Sequence, residues 1–293
     1  MEILPGVDEP VLRFAVFAGV FVLFAAFEVM SPKRPLSMPK GKRWLTNLSI
    51  VGIDSLLVRL LANLPLILGL AIVPIAAVAA ALWAEKTGTG VLNLVAMPWW
   101  LELIIALLVL DFAIWLQHLI SHKVPVFWRL HQVHHADRDI DVTTAIRFHP
   151  LEIALSMLYK IVWVLVLGPS AVAVLLFEVI LNACAMFNHA NIALPPQLDR
   201  VLRLIVVTPD MHRVHHSTER REHDSNYGFN LSIWDRLFGT YTAEPDKGQL
   251  GMTIGLAHYQ TEEPTKLMWA LLVPFRRREA KTTRNGSSAS KTN

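Results

Sequence analysis

Four long apolar runs, at residues 11–30, 60–83, 99–120 and 153–188, constrain this chain more than anything else in it. A run of about 20 apolar residues is what a helix needs to cross roughly 30 Å of hydrocarbon. Hydrophobic residues make up 53% of the 293, only a little above the roughly 45–50% of ordinary globular chains, so the argument rests on their distribution. The pattern predicts an all-α fold: a polytopic membrane helical bundle of about four to five membrane segments.

Positive charge orients that bundle, because short cytoplasmic loops carry the excess of Lys and Arg. Segment 31–44 holds Lys33, Arg34, Lys40, Lys42 and Arg43, whereas segment 84–98 holds only Lys86. The first is expected in the cytoplasm, the second and the N-terminus outside. The start, MEILPGVDEP, lacks the basic opening of a signal peptide, so run 11–30 reads as a retained anchor. Residues 45–83 are too long for one crossing and contain Asp54 and Arg59; they divide into an interfacial helix near 45–59 and a crossing at 60–83. Run 153–188 is broken by Gly168-Pro169-Ser170 into two short halves, the pattern of a tight helical hairpin dipping in from the cytoplasmic face. The expected organisation is N-terminal anchor helices over 1–98, a catalytic region over 99–241, a C-terminal segment over 242–275 with an interfacial helix near 264–275, and a disordered basic tail over 276–293. A net charge of +3 is too small to argue for nucleic acid, and the single cysteine, Cys184, has no disulfide partner.

Eleven of the twelve histidines fall between residues 118 and 223. His118 and His122 are spaced H-x-x-x-H at the end of the third apolar run. H-x-x-H-H then occurs twice, as His131, His134 and His135 and as His212, His215 and His216. Residues three and four apart share a helix face, so these are three same-face sets. Together they offer eight imidazoles, enough to surround two metal ions with about four nitrogens each. A lone histidine is ordinarily a hydrogen-bonded structural residue; a repeated triplet beside a matching pair is not. Imidazole suits Zn, Cu, Fe and Ni alike, and a closed zinc site takes four ligands, commonly with cysteine. Spacing alone leaves three readings open: a dinuclear centre that admits O₂, a membrane zinc hydrolase acting through a metal-activated water, and a metal transporter or buffer.

The order H-x₃-H, then H-x₂-H-H nine positions later, then a distant H-x₂-H-H resembles the membrane-bound fatty acid hydroxylase/sterol desaturase superfamily. RFHPLE at 147–152, NHANI at 188–192, DMHRVHHS at 210–217 and WDRLFGTY at 234–241 resemble it too, as does 31–48. Acyl-CoA desaturases have a much longer gap between the first two boxes, so the short gap favours the hydroxylase/sterol side. The resemblance implies an integral-membrane oxygenase with two non-haem iron ions, using O₂ as co-substrate to hydroxylate or desaturate a lipid drawn from the bilayer. It implies the eight box histidines as metal ligands, with His189 as a further one. His149 and His223 take second-shell or structural roles. Where the family often has a histidine four residues after His189, this chain has Ala193. No cytochrome b5-like region is visible, so electrons are expected from a separate ferredoxin, cytochrome or reductase. The metal centre is expected as a cap on the cytoplasmic face, at the inner membrane if the chain is bacterial.

Among the acids, Asp137, Asp139, Asp141, Glu152, Asp210 and Asp224 lie near the boxes and are candidates to accept the second N–H of a ligating imidazole. Asp111 stands seven residues before His118 inside an apolar run. An acid in such a place is a functional suspect, either behind a ligand or along a substrate channel. The tryptophans, Trp128 included, read as interface belt or packing. Asn230, Trp234, Asp235 and Gly239 read as a closing turn.

Overall fold

A computed structural model of the chain describes residues 8–67 and 76–276, with side chains at 8–62 and 76–276. The tail expected over 276–293 lies outside these residues except for Arg276. The described residues are mostly helical and contain no strand, only isolated bridges. The helices that position the site are α1 (Glu9–Met30), α2 (Lys40–Ile67), α3 (Ala77–Thr87), α4 (Trp99–Lys123), α5 (Pro125–His135), α6 (Pro150–Leu167), α7 (Ala171–His189), α8 (Pro196–Leu202) and α9 (Pro209–His215). Among the described residues, five helical segments are long and apolar enough to cross a membrane: Glu9–Met30, Lys40–Ala62, Trp99–Lys123, Pro150–Leu167 and Ala171–His189. The protein is an integral membrane protein.

Local chemistry sets the helix ends. Asp8 caps α1 by accepting from Val11 N, with Pro10 in the first turn, where a proline loses no helical hydrogen bond. Between α4 and α5 the proline does the breaking. Val124 is extended (φ −99°, ψ 117°), as the residue before a proline must be, and Pro125 starts the next helix. One short break therefore separates His118 and His122 from His131, His134 and His135 and lets the two helices fold against each other.

α6 and α7 are joined by a sharp turn at Gly168-Pro169-Ser170, as expected, but they are not a tight short hairpin: α3 and α4 pack against both, and each helix is long and apolar enough to span. Gly168 ends α6 at φ +69°, and Ser170 caps α7 by accepting from Ala173 N. This far end is locked to residues 85–102. Glu102 accepts from Ser170 N and Oγ, and Glu85 accepts from Ala171 N, placing carboxylates at the positive end of α7. Gly168 also packs directly on Gly90: a Cβ at Gly90 would stand 2.4 Å from Gly168 Cα, so no side chain fits there.

The core between α3, α4, α6 and α7 is built of small and aliphatic side chains, with Ala80, Ala81, Ala106, Val164 and Ala173 all fully buried. The outward faces are apolar as well: Phe14, Trp99, Leu158 and Val162 are exposed, as expected of surfaces that meet lipid.

One further expectation changes. The proposed division of 45–83 is not there, since α2 is continuous from Lys40 to Ile67; residues 68–75 of the proposed crossing lie outside the described residues. The charge at Asp54 that argued for an interfacial segment is 6% exposed and faces the interior. The basic segment before it is also engaged internally. Arg43 is fully buried, donating to both carboxylate oxygens of Asp137 at 2.6 and 2.8 Å and to Asp141 at 2.6 Å. Lys33 donates to Asp210 at 2.6 Å, and Arg34 donates to the carbonyls of Gln249 and Met252. The segment near 264–275 forms a short helix, Leu267–Leu272, that packs Trp269, Ala270 and Val273 against Ile50 and Val133 and leaves Met268 and Phe275 exposed.

Candidate metal centre

Nine histidines converge where α4, α5, α7 and α9 meet, and all nine are buried. They form two adjoining groups. One contains His118, His122, His131, His135 and His215; the other contains His134, His189, His212 and His216. In each, one nitrogen per ring lies within 4.8 Å of all the others.

The grouping follows helical geometry in a way that sequence spacing hid. Each pair spaced by four (118/122, 131/135, 212/216) stays within one group. The middle histidine of each triplet crosses over: His134 joins the second group and His215 the first. Every H-x-x-H-H box therefore straddles both groups instead of filling one. His189, the last residue of α7, makes the second set four.

The protonation pattern explains why a cation fits. His118 Nδ1 lies 2.7 Å from Tyr227 O, His215 Nδ1 2.6 Å from Ser225 O, and His189 Nδ1 2.7 Å from Ala185 O. A carbonyl only accepts, so each Nδ1 carries the proton and each Nε2 is a bare lone pair. Yet His215 Nε2 stands 3.0 Å from His118 Nε2, and His118 Nε2 stands 3.1 Å from His131 Nε2. In the second group His189 Nε2 faces His134 Nε2 and His212 Nε2, each at 3.1 Å. Converging lone pairs repel unless a cation lies among them. A proton is a poor candidate: burial pushes His131 down to about 3, and burial together with neighbouring imidazoles pushes His134, His135, His212, His215 and His216 far below the ordinary range. His216 Nε2 is buried with no hydrogen-bond partner at all. The donor set fits two metal ions, and five nitrogens in one group exceed the four of a tetrahedral structural zinc site.

Of the candidate acids, Glu152 accepts from His131 Nδ1 at 2.6 Å, and Asp224 Oδ1 lies 3.7 Å from His122 Nδ1. Asp137, Asp139 and Asp141 do not reach the imidazoles. Asp137 and Asp141 bind Arg43, and Asp139 accepts from Ser37 N and Met38 N; burial alone would raise Asp137, but Arg43 holds it down at about 2. Asp210 pairs with Lys33 and Arg213. Asp111 accepts from Trp234 Nε1 at 2.8 Å and Leu231 N at 3.3 Å, so it anchors the loop before Ile233–Leu237. It does not stand behind a ligand. His149 caps α6 by accepting from Leu151 N, with Nε2 3.1 Å from Leu271 O, and stands apart from the cluster. His223 is beside it, with its ring 4.5 Å from His135 and 4.9 Å from His122.

Three further residues stand at the centre without a histidine-box pattern to mark them: Trp128, Phe148 and Tyr227. Trp128 packs against His122, His135 and His223 at 5.1, 5.6 and 4.8 Å, so it is no belt residue; its spacing of three and seven from His131 and His135 on α5 was the available signal. Phe148 stacks on His134 at 4.4 Å and 9°. Tyr227 supplies the carbonyl that fixes His118. Its loop is held by Asp235, which accepts from Tyr227 N and Gly228 N at 2.8 Å and from Trp115 Nε1 at 3.0 Å. The closing turn thus sets a ligand's tautomer.

Residues 103–240 match the family model described as fatty acid hydroxylase. The chain is 35% identical over 173 residues to the alkylglycerol monooxygenase of Homo sapiens, covering 59% of this chain and 36% of that one. It is 34% identical over 158 residues to the Danio rerio alkylglycerol monooxygenase, covering 54% and 33%. With an ornithine lipid hydroxylase of Rhizobium tropici it shares 28% identity over 158 residues, covering 53% and 47%. The matches thus span about a third to a half of these relatives' lengths. No solved structure matches the chain significantly.

Proposed function

We propose, from the match of residues 103–240 to the fatty acid hydroxylase model, that this chain is a membrane di-iron oxygenase that inserts oxygen into, or desaturates, a C–H bond of a lipid. The observation that carries the proposal is the pair of imidazole groups whose lone pairs converge on two points, next to a cavity whose wall includes His118 and His131. Two iron ions held by His118, His122, His131, His135 and His215 and by His134, His189, His212 and His216 would supply the activation of O₂, chemistry that side chains alone do not perform. The overall change for hydroxylation is RH + O₂ + 2 e⁻ + 2 H⁺ → ROH + H₂O. The electrons come from a separate ferredoxin, cytochrome or reductase.

The chain's own residues do the rest. Carbonyls of Tyr227, Ser225 and Ala185 and the Glu152 carboxylate hold four ligand rings in the tautomer that points Nε2 inward, the outer support that metal-binding histidines ordinarily have. Phe148 and Trp128 close the flanks with apolar rings. The centre faces the cytoplasm, on the side of Lys33, Arg34, Lys40, Lys42 and Arg43. The relatives' names make ether-linked glycerolipids and ornithine lipids the first substrates to try.

Comparative lipidomics tests this: one host expressing the wild-type chain, the other His215→Ala. The wild type should yield lipid species heavier by one oxygen, or lighter by two hydrogens, that vanish with the variant and without O₂. Unchanged lipids with an iron-loaded, reduced protein, or product formed in the absence of O₂, would contradict it.

A further inference from the structure

A cavity of about 360 Å³ opens beside the histidines, within the roughly 300–1,000 Å³ range of small-molecule sites. Four helices each present one face to it: residues 51, 54, 55 and 58 of α2; 114, 117, 118 and 121 of α4; 152, 153, 156 and 160 of α6; and 181, 182 and 185 of α7. These are helical repeats of three and four, so the cavity is built into the bundle. The lining is mostly apolar, as a site that takes hydrocarbon needs, and it carries one polar stripe: Glu152, Ser156 and Lys160, successive turns of α6 that span about 12 Å, faced by Gln117, Asn182 and Asp54.

Two of these groups are left incomplete by the protein. Asp54 is 6% exposed and its Oδ1 has no partner; Glu152 is 9% exposed, and while Oε1 holds His131, Oε2 has none. Buried acceptors without donors are costly. Lys160 does not answer them, since it is bonded to Glu178 at 2.7 Å.

We propose that this cavity binds an amphiphilic lipid headgroup-first, through hydroxyl or ammonium donors given to the carboxyls of Asp54 and Glu152. Because Glu152 is bonded to the ligand His131, the C–H bond presented to the centre lies within a few bonds of the headgroup and far from the chain terminus. Val51, Val58, Ile114 and Leu181 on the same walls receive the first methylenes of the chain. This rests on the oxygenase reading for its consequence, but the binding itself does not.

The test is photo-crosslinking of the full-length protein in lipid nanodiscs with hexadecyl probes. The probes carry a glycerol, a primary ammonium or a fully O-methylated glycerol headgroup, with a diazirine either near the headgroup or at the chain end. Headgroup-proximal diazirines on the glycerol or ammonium probe should label peptides containing residues 114–121 and 148–156. The preferred headgroup identifies the donor. The methylated probe should label about tenfold less, as loss of hydrogen bonds to carboxylates implies, and Asp54→Asn should abolish that preference while retaining wild-type metal content. Labelling of these peptides by the chain-end diazirine, equal labelling by the methylated probe, or an unchanged preference in Asp54→Asn would overturn the proposal. Product oxidised at the chain end would leave the oxygenase reading standing and remove this one; intact headgroup labelling with no O₂-dependent product would do the reverse.

Discussion

Replacing two histidines of the same type, His134→Ala and His215→Ala, should give different metal stoichiometries. Both are the fourth residue, or its equivalent, of an H-x-x-H-H box, yet His134 belongs to a group of four nitrogens and His215 to a group of five. A four-ligand metal site contributes about 10–16 kcal/mol, or about 2.5–4 kcal/mol per ligand. At about 1.4 kcal/mol per tenfold, loss of one ligand weakens its ion by about 10²–10³-fold. His134→Ala leaves three nitrogens and should purify with close to one iron per chain. His215→Ala leaves four, a full set for a single ion, and should retain nearer two while still losing activity. Metal analysis of the purified variants, followed by chelator titration, reads this directly. His212→Ala should behave like His134→Ala, and His122→Ala like His215→Ala. Equal loss of both ions from both variants, or the greater loss from His215→Ala, would refute the division into groups.

Asp235→Ala removes the acceptor of three buried donors, Tyr227 N, Gly228 N and Trp115 Nε1; at about 1–3 kcal/mol for each stranded group, the melting temperature should fall sharply, and iron content with it. Gly90→Ala places a methyl 2.4 Å from Gly168 Cα at φ +100°, which should destabilise the packing of this segment on the turn between α6 and α7 by about 1–3 kcal/mol and show as a lower thermal midpoint. In the metal-stripped protein His131 stays neutral down to about pH 3, whereas unfolded histidine titrates at 6.5. Its folded pKa is depressed, so stability is full above pH 6.5 and falls on acidification by about 1.4 kcal/mol per pH unit for this residue alone; urea titrations across that window should show it.

The histidines announced the centre because helical spacing is local: 118 with 122, or 131 with 135, can be read from a dozen residues. What could not be read was the crossing of His134 and His215 between groups, which depends on how α5 and α9 meet nearly eighty residues apart. The acids show the same limit. Glu152 and Asp224 reach imidazoles, while Asp137 and Asp141 are taken by Arg43, ninety-odd residues upstream. Nothing in a run such as ADRDID marks its partner as an arginine at the head of α2. Asp54 misled for a related reason: a charge in an apolar run reads as an interface until the cavity it faces is known. The turn at Gly168 was legible because Gly-Pro-Ser is its own punctuation; the packing of α3 and α4 against both helices, and the contact of Gly168 with Gly90, were not.

The central claim is that oxygen from O₂ enters a lipid at this histidine centre. Purified, iron-loaded protein in nanodiscs, given reductant, a redox carrier and the lipid identified by lipidomics under isotope-labelled O₂, should yield product containing one labelled oxygen, and none with His134→Ala. Product carrying oxygen from water instead, or formed equally well without O₂, would contradict the account.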